Sequence, residues 1–382
     1  MLAPIGGELT LTGPSSDGRS GASRSSDFAC YAAVDLGTNN CRLLVATPER
    51  QGFRVVEAFS RIVRLGDGLS RTGRLDPAAM DRALAALKIC ADKMNKRKVV
   101  GVRAVATQAC RSAENGDEFI ARAERETGVK LQVISPKEEA RLSVAGCLGL
   151  LDRKADAALV LDVGGGSTEL SWVDLRDVAV DGPRLSADRL PIKAWVSTPV
   201  GVVTLAERFP EPDPPTEAWF RDMVEHVKGH LCAFTSAEEF RDIFAEGRAH
   251  LIGTSGAITS LAGLHLGLRR YERAKVDGLW LERKDCEKAT DRLMALGAKA
   301  RAGEPCIGPD RADLVLAGAA ILQAVQELWP CDRVRVADRG LREGLLLSLM
   351  GERARRAGRP RRRRRRGGRG VTAPINGASN GG

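Results

Sequence analysis

The chain writes one strand–turn–strand unit twice. Tyr31 to Val45 reads YAAVDLGTNNCRLLV, and Leu159 to Val173 reads LVLDVGGGSTELSWV. With Asp35 set against Asp162, each copy has an apolar run, an Asp, an aliphatic residue, a Gly, small polar turn residues and a second strand-like run. The copies lie 127 residues apart, about the size of one domain. That spacing predicts two related domains facing each other, in a chain of 382 residues that exceeds one comfortable core.

Between and beyond the copies, strands alternate with helices, which argues for an α/β fold. Asp76 followed by Pro77 signals a helix start, with Met80, Leu84, Leu87 and Met94 as its apolar stripe. A strand is predicted over 99–107, a helix closed by Gly128, and a strand over 130–134. Ser135, Pro136 and Glu138 form a capping box for the helix that follows. Downstream, a helix covers 216–234, a short strand with a Gly/Ser turn covers 251–263, and helices cover 284–299 and 310–328. The last helix is LREGLLLSLMGERA. The expected division is a disordered leader over 1–27, domain I over 28–135, domain II over 136–354 and a disordered tail over 355–382. The segment 340–354 is free to return to the first domain.

The net charge of +10 belongs to one place. Residues 351–370 hold eleven Arg and one Glu, and the rest of the chain has 48 basic and 48 acidic residues. Polyanion or nucleic-acid attraction is therefore expected of the tail and not of the folded body. No apolar run reaches the roughly 18–20 residues that span a bilayer, and the first residues lack the pattern of a secretory signal. The nine cysteines are an odd number without a C-x-x-C pair, which suits buried thiols in a reducing cytoplasm. His226 and His230 lie one helical turn apart in EHVKGH, and a solvated helix face accounts for them better than a metal does.

The repeated turn has a chemistry. Glycines allow positive φ and bring peptide N–H groups close to a ligand; successive N–H groups make an anion nest to which Ser and Thr hydroxyls add donors. Phosphate oxygens beside Asp162 and Glu169 would be repelled unless a divalent cation lay between them, and Mg²⁺ suits oxygen ligands of this kind. The other reading of each loop is a tight hairpin with solvated acids. A Rossmann site is disfavoured because the turn leads into a strand, and no Walker loop occurs. Glu139, unlike Glu138, has no capping duty, so it is either a carboxylate that orients water or a plain surface residue. Arg111 follows a strand end, where its guanidinium is either a phosphate clamp or an ordinary surface Arg.

Together, VDLGTNN, ATQACRSAENGDEF, ISPKEEARL, LDVGGGSTEL, STPVGVVTLAERF, IGTSGAITSLA and ADRGLREGLL resemble the exopolyphosphatase and guanosine pentaphosphate phosphohydrolase family over residues 31 to 347. The resemblance implies two duplicated actin- and hexokinase-like α/β domains (a ribonuclease H-like core) clasping phosphates in a cleft. It implies that Glu139 polarises the attacking water, that Arg111 binds phosphate and that Asp162 and Glu169 hold the metal. Phosphate would be cradled by Asp35, Gly37, Thr38 and Asn39 in the first loop, by Gly164, Gly165, Gly166, Ser167 and Thr168 in the second, and by Ser255 and Gly256. Asn40, Cys41 and the ADRGLREG stretch depart from the commoner family pattern, the last of these away from the chemistry. The chain resembles the short, two-domain form, and dimers are common in that family.

The function expected is Mg²⁺-dependent removal of terminal phosphate from inorganic polyphosphate, with a monovalent cation as an additional cofactor the sequence leaves open. Its closest rival is hydrolysis of the 5′-γ-phosphate of guanosine pentaphosphate (pppGpp). A kinase on the same superfold and a polyanion binder acting through the tail are the further alternatives.

Overall fold

The structure, a computed structural model, describes residues 29–50, 52–180, 185, 187, 189–232 and 234–358. The predicted leader and the Arg-rich run from residue 359 lie outside the described residues. Sheet strands are β1 (Tyr31–Leu36), β2 (Asn40–Glu49), β3 (Gly52–Ile62), β4 (Gly101–Ala106) and β5 (Leu131–Val133) in a first sheet of order β3-β2-β1-β4-β5. A second sheet has the order β10-β11-β9-β6-β7-β8. It is built from β6 (Ala157–Val163), β7 (Thr168–Asp174), β8 (Ile192–Thr198), β9 (Ala249–Thr254), β10 (Trp280–Glu282) and β11 (Arg333–Ala337).

The two sheets share a plan. In each, a hairpin (β1–β2, β6–β7) continues antiparallel into a third strand (β3, β8), and its first strand pairs on the other side with a parallel strand (β4, β9). The parallel side extends once more to β5 and β11. This is the duplicated α/β fold that the repeat predicts.

Helices of the first half are α1 (Leu69–Thr72), α2 (Pro77–Lys96), α3 (Gln108–Ser112), α4 (Gly116–Thr127) and α5 (Pro136–Cys147). Asp76 caps α2 by accepting from Ala79 N, and Met80, Leu84, Leu87 and Met94 are buried beneath it, as the stripe predicts. Gly128 ends α4 in the left-handed region, with φ 70. Ser135 caps α5, but the capping box is only half made. The Glu138 carboxylate is taken by Arg103 and Arg141, since two guanidiniums outcompete one backbone N–H.

The second half carries α6 (Val202–Arg208), α7 (Glu217–Cys232), α8 (Arg241–Ala245), α9 (Gly256–His265), α10 (Arg273–Val276), α11 (Arg283–Arg301), α12 (Val315–Leu328) and α13 (Leu341–Gly358). Its main core lies under α7, α9 and α12 around Trp172, Phe240 and Trp329. The segment read as a strand with a Gly/Ser turn is instead β9 followed by α9. Ser255 accepts from Ile258 N and so starts a helix where a turn was expected.

Two helices join the halves. The last, α13, lies against β1, β2 and β4, and it crosses α5, which packs on β6, β7 and β8. The crossing is close because glycines line it. A β-carbon on Gly146 would stand 1.9 Å from the Gly340 carbonyl oxygen, and one on Gly344 would stand 2.0 Å from that of Leu142. The ADRGLREG stretch is thus not remote from the chemistry: it packs against the helix that presents Glu139, and Arg342 faces Asp35. Eight of the nine cysteines are fully or partly buried and none is in a disulfide; Cys41 Sγ lies 3.9 Å from Cys90 Sγ. Among the described residues, no helix is long and apolar enough to cross a membrane. His226 and His230 make an edge-to-face ring pair at 4.8 Å, with His226 also against Phe209.

Candidate functional site

Each hairpin delivers its acid to the same end of its sheet. Asp35 is the fifth residue of β1 and is paired across the hairpin with Arg42, while Asp162 is paired across β6–β7 with Glu169. Between Asp162 and Glu169 runs the turn Val163 to Thr168, closed by Gly164 N donating to Ser167 O at 2.9 Å. Gly164, Gly165 and Gly166 do not use the left-handed backbone expected of them. Their smallness serves contact instead. A β-carbon on Gly166 would meet Thr38 Oγ1 at 2.8 Å, and one on Gly165 would meet Asn39 N at 3.1 Å, so the two loops touch across the cleft. The helix α6 holds the second loop from behind, with Val202 N donating to Gly164 O and Val203 N to Gly165 O.

Not every predicted hydroxyl faces a ligand. Thr168 Oγ1 donates to Val200 O at 2.6 Å, and the Ser255 hydroxyl caps α9, so both have structural partners. Ser255 and Gly256 start α9 one strand along the sheet, where Thr254 pairs with Asp162. The backbone oxygen of Asn39 accepts from Val63 N and Arg64 N, while its buried Oδ1 has no hydrogen-bond partner among the described residues. Gly37 N closes the first turn onto Asn40 O at 2.9 Å.

Glu139 and Arg111 complete the group. Glu139 is buried on the first turn of α5, with Oε2 accepting from Arg111 Nη1 at 3.2 Å. The Arg111 guanidinium also donates to Ile134 O at 2.7 Å and to Gln108 Oε1 at 2.6 Å, and this three-way anchoring fixes its direction. Ser143, one turn beyond Glu139 on α5, donates to Asp162 Oδ2, and Ser197 on β8 donates to Glu169 Oε1 at 2.7 Å. Gln108 and Ser197 lie inside ATQACRSAENGDEF and STPVGVVTLAERF, and Ser143 follows ISPKEEARL, but their roles are recognisable only once the strands and helices are placed.

The electrostatics show how tightly the acids are collected. Burial, then the neighbouring charges of Glu169, Asp162 and Asp35, push the Glu139 carboxyl well above its ordinary range, with Arg111 opposing. Burial and Asp162 raise Glu169 to about 7, and the Ser197 and Ser167 hydroxyls oppose the shift. Asp162 rises to about 6 through burial and the charge of Asp35, against the Ser143 hydrogen bond. Asp35 is also raised by burial, but Arg42 and Arg342 counter it. The four carboxylates therefore feel one another across the two halves.

Such a cluster has the chemistry of a site for a hard cation. Among the described residues no three His, Cys, Asp or Glu side chains stand close enough to form a complete metal cage. Mg²⁺ does not need one, because it keeps several waters and takes one or two carboxylates together with substrate phosphates. Asp162 and Glu169, paired across β6–β7 and both raised by burial, fit that mode.

The sequence pattern of the Ppx/GppA phosphatase family matches residues 44–353. This chain belongs to that family. Exopolyphosphatase 2 of Mycobacterium tuberculosis is 31% identical over 333 residues, covering 84% of this chain and 98% of that protein. A guanosine-5′-triphosphate,3′-diphosphate pyrophosphatase of Aeromonas hydrophila is 29% identical over 84% of this chain, but over only 59% of its own greater length. The crystal structure of the Aquifex aeolicus member of the Ppx/GppA family superposes with a TM-score of 0.67 at 28% identity, covering 85% of this chain and 99% of that one. The fold is accordingly that of the actin-like superfold, and the family chemistry is phosphoanhydride hydrolysis.

Proposed function

We propose that this chain is an exopolyphosphatase that releases orthophosphate from the end of inorganic polyphosphate. The observation that carries the reading is the buried Glu139 carboxylate, held by Arg111 and surrounded by Asp162, Glu169 and Asp35 at the junction of two matched loops. The likeness to an exopolyphosphatase along nearly that protein's whole length supports polyphosphate over pppGpp, since the guanosine-5′-triphosphate,3′-diphosphate pyrophosphatase it resembles is a longer protein matched over only 59% of its length.

Glu139 is the base: its Oε accepts the proton of a water aimed at the terminal phosphorus. Arg111 donates to an oxygen of the terminal phosphoryl group, and peptide N–H groups of Thr38, Asn39 and residues 165–167 add further donors, which is where most rate enhancement in phosphoryl transfer arises. Ser255 and Gly256, at the N-terminus of α9, serve the phosphates farther along. Mg²⁺ is the cation we assign to Asp162 and Glu169, where it would neutralise charge on the phosphoryl oxygens and lower the proton affinity of Glu139. The domain division proposed is 28–135 and 136–354, with α13 packed on the first. A cytoplasmic location is proposed from the free thiols.

The test is phosphate release by purified protein from long-chain polyphosphate and from pppGpp, side by side, with and without Mg²⁺. Metal-dependent release that is faster from polyphosphate is the expected result. A preference for pppGpp would replace the substrate, and no release from either would remove the hydrolase.

A further inference from the structure

Both substrates of the family end in the same phosphoanhydride, so the loops that grip it cannot tell them apart. Discrimination must come from what lies beside the loops, and two cavities do. One, of about 300 Å³, touches Asn39 and is bordered by Asp67, Glu207, Glu211 and Asp313, of which Asp67 pairs with Arg82, Glu211 with Arg301 and Asp313 with Arg64. Its neighbouring guanidiniums are thus already engaged by acids, which leaves it poorly suited to hold a polyanion. The other, of about 400 Å³, is open to solvent and lined by Gln108, Pro136, Trp195, Ser197, Thr198 and Pro199, with Val196 completing it. None of its lining residues carries a formal charge.

The uncharged cavity is tied to the chemistry at two points. Gln108 holds Arg111, and Ser197 holds Glu169. Side chains two apart on a strand share a face, so Trp195 lies on the same face of β8 as Ser197, about 7 Å farther along. Pro136, from the first turn of α5, stands at the same cavity three residues before Glu139. A half-buried indole thus shares with Pro136 and Pro199 a cavity that has no guanidinium or ammonium among its lining residues.

We propose that Trp195 is the specificity-determining residue of this site: its indole stacks on the purine ring of a nucleoside 5′-polyphosphate whose terminal phosphate lies at Glu139. The inference rests on the hydrolase reading and names the residue by which a nucleoside end is told from a polyphosphate end. In the reaction water oxygen bonds to the terminal phosphorus and the bond from that phosphorus to the bridging oxygen breaks. The products are orthophosphate, the nucleotide shortened by one phosphate, and one proton. A polyphosphate end has no ring and gains nothing from the indole.

The experiment compares wild type, Trp195→Ala and Trp195→Phe by kcat/KM on pppGpp and on long-chain polyphosphate, and by calorimetric binding of the product ppGpp. For Trp195→Ala the ratio of kcat/KM on pppGpp to that on polyphosphate should fall on the order of tenfold, mainly through KM, as expected for the loss of one base–aromatic stack. Trp195→Phe should restore most of the ratio, and ppGpp binding should weaken in parallel. An unchanged ratio, including equal losses on both substrates, overturns the proposal and leaves Trp195 a packing residue. If wild type hydrolyses neither substrate, the hydrolase reading falls. The binding comparison then decides the pocket by itself, with unaltered ppGpp binding in Trp195→Ala overturning it.

Discussion

The two copies of the hairpin differ most at one register position. In the first, Asp35 stands across from Arg42; in the second, Asp162 stands across from Glu169. The first pair balances its own charge, and Arg342 adds a second cation to it. The second pair places two acids side by side, with hydroxyls from Ser143, Ser167 and Ser197 and the charges of Arg42 and Arg111 opposing the shift. Like charges directly opposed on a sheet are destabilising, and buried ones more so. One copy has thus kept the loop as a self-contained support, while the other has kept it as a half-made site whose charge is completed by something that binds. Glu139 leans towards the second copy, feeling Glu169 more strongly than Asp35.

If that asymmetry runs the chemistry, substitutions on the second side should cost most. Glu139→Gln removes the base but leaves the amide able to accept from Arg111. Turnover should drop by about 10²–10⁴, the range for a positioned general base, while substrate still binds. Near-normal kcat would take the base role away from Glu139. Glu169→Gln should lower kcat on the order of 10²–10³, the cost of losing one group that stabilises developing charge, and should raise the Mg²⁺ concentration needed for half-maximal rate. A variant with reduced rate but unaltered Mg²⁺ dependence would show that Glu169 does not serve the metal.

Much of this asymmetry was visible before the fold. The repeat placed Asp35 and Asp162 as equivalents, and Asp76, Gly128 and Ser135 marked helix ends because capping is local chemistry read from a few adjacent residues. The offset of 127 residues, carried one strand further, also aligns Arg42 with Glu169, so the difference between the copies had a signal that the loops alone did not reveal. Other features had none. Strand β3 is an edge strand with most of its residues partly or fully exposed, which gives it no continuous apolar run to notice. Gln108, Ser143 and Ser197 are ordinary polar residues until β8 and α5 bring them to Arg111, Asp162 and Glu169. The loop glycines, expected to supply positive φ, serve instead as spacers, a distinction that depends on Thr38 and Asn39 arriving from the other half of the chain.

The comparison also makes a prediction about stability. Asp162 is raised to about 6 and Glu169 to about 7, both above their unfolded values. A carboxyl with a raised folded pKa keeps its proton longer in the folded state. The folded protein is therefore favoured least once both groups are ionised, and stability from them is lost as pH climbs from about 4 to about 7. Each contributes a penalty of about 3 kcal/mol at neutral pH when no cation is bound. In chelator, the melting temperature of Glu169→Gln should rise above that of wild type, and the gap should widen between pH 5 and pH 8. Adding Mg²⁺ should close the gap by stabilising wild type alone. A gap that ignores both pH and Mg²⁺ would mean that the second pair is satisfied within the protein.

The smallest effect belongs to the first pair. Arg42→Gln removes one of the two cations beside Asp35, leaving Arg342. Arg42 acts on Asp35 through its charge without a direct ion pair, and Arg342 remains, so the loss should be about 1 kcal/mol, below the cost of breaking a buried ion pair. Because Asp35, already raised by burial, then resembles Asp162 more closely, the loss of stability with rising pH should steepen, so the melting-temperature deficit of Arg42→Gln against wild type should be smaller at pH 5 than at pH 7. Activity should fall only a few-fold, since Glu139 and the second pair are intact. A loss of activity as deep as that of Glu169→Gln would erase the distinction between support and site, and would place the first copy in the chemistry on equal terms.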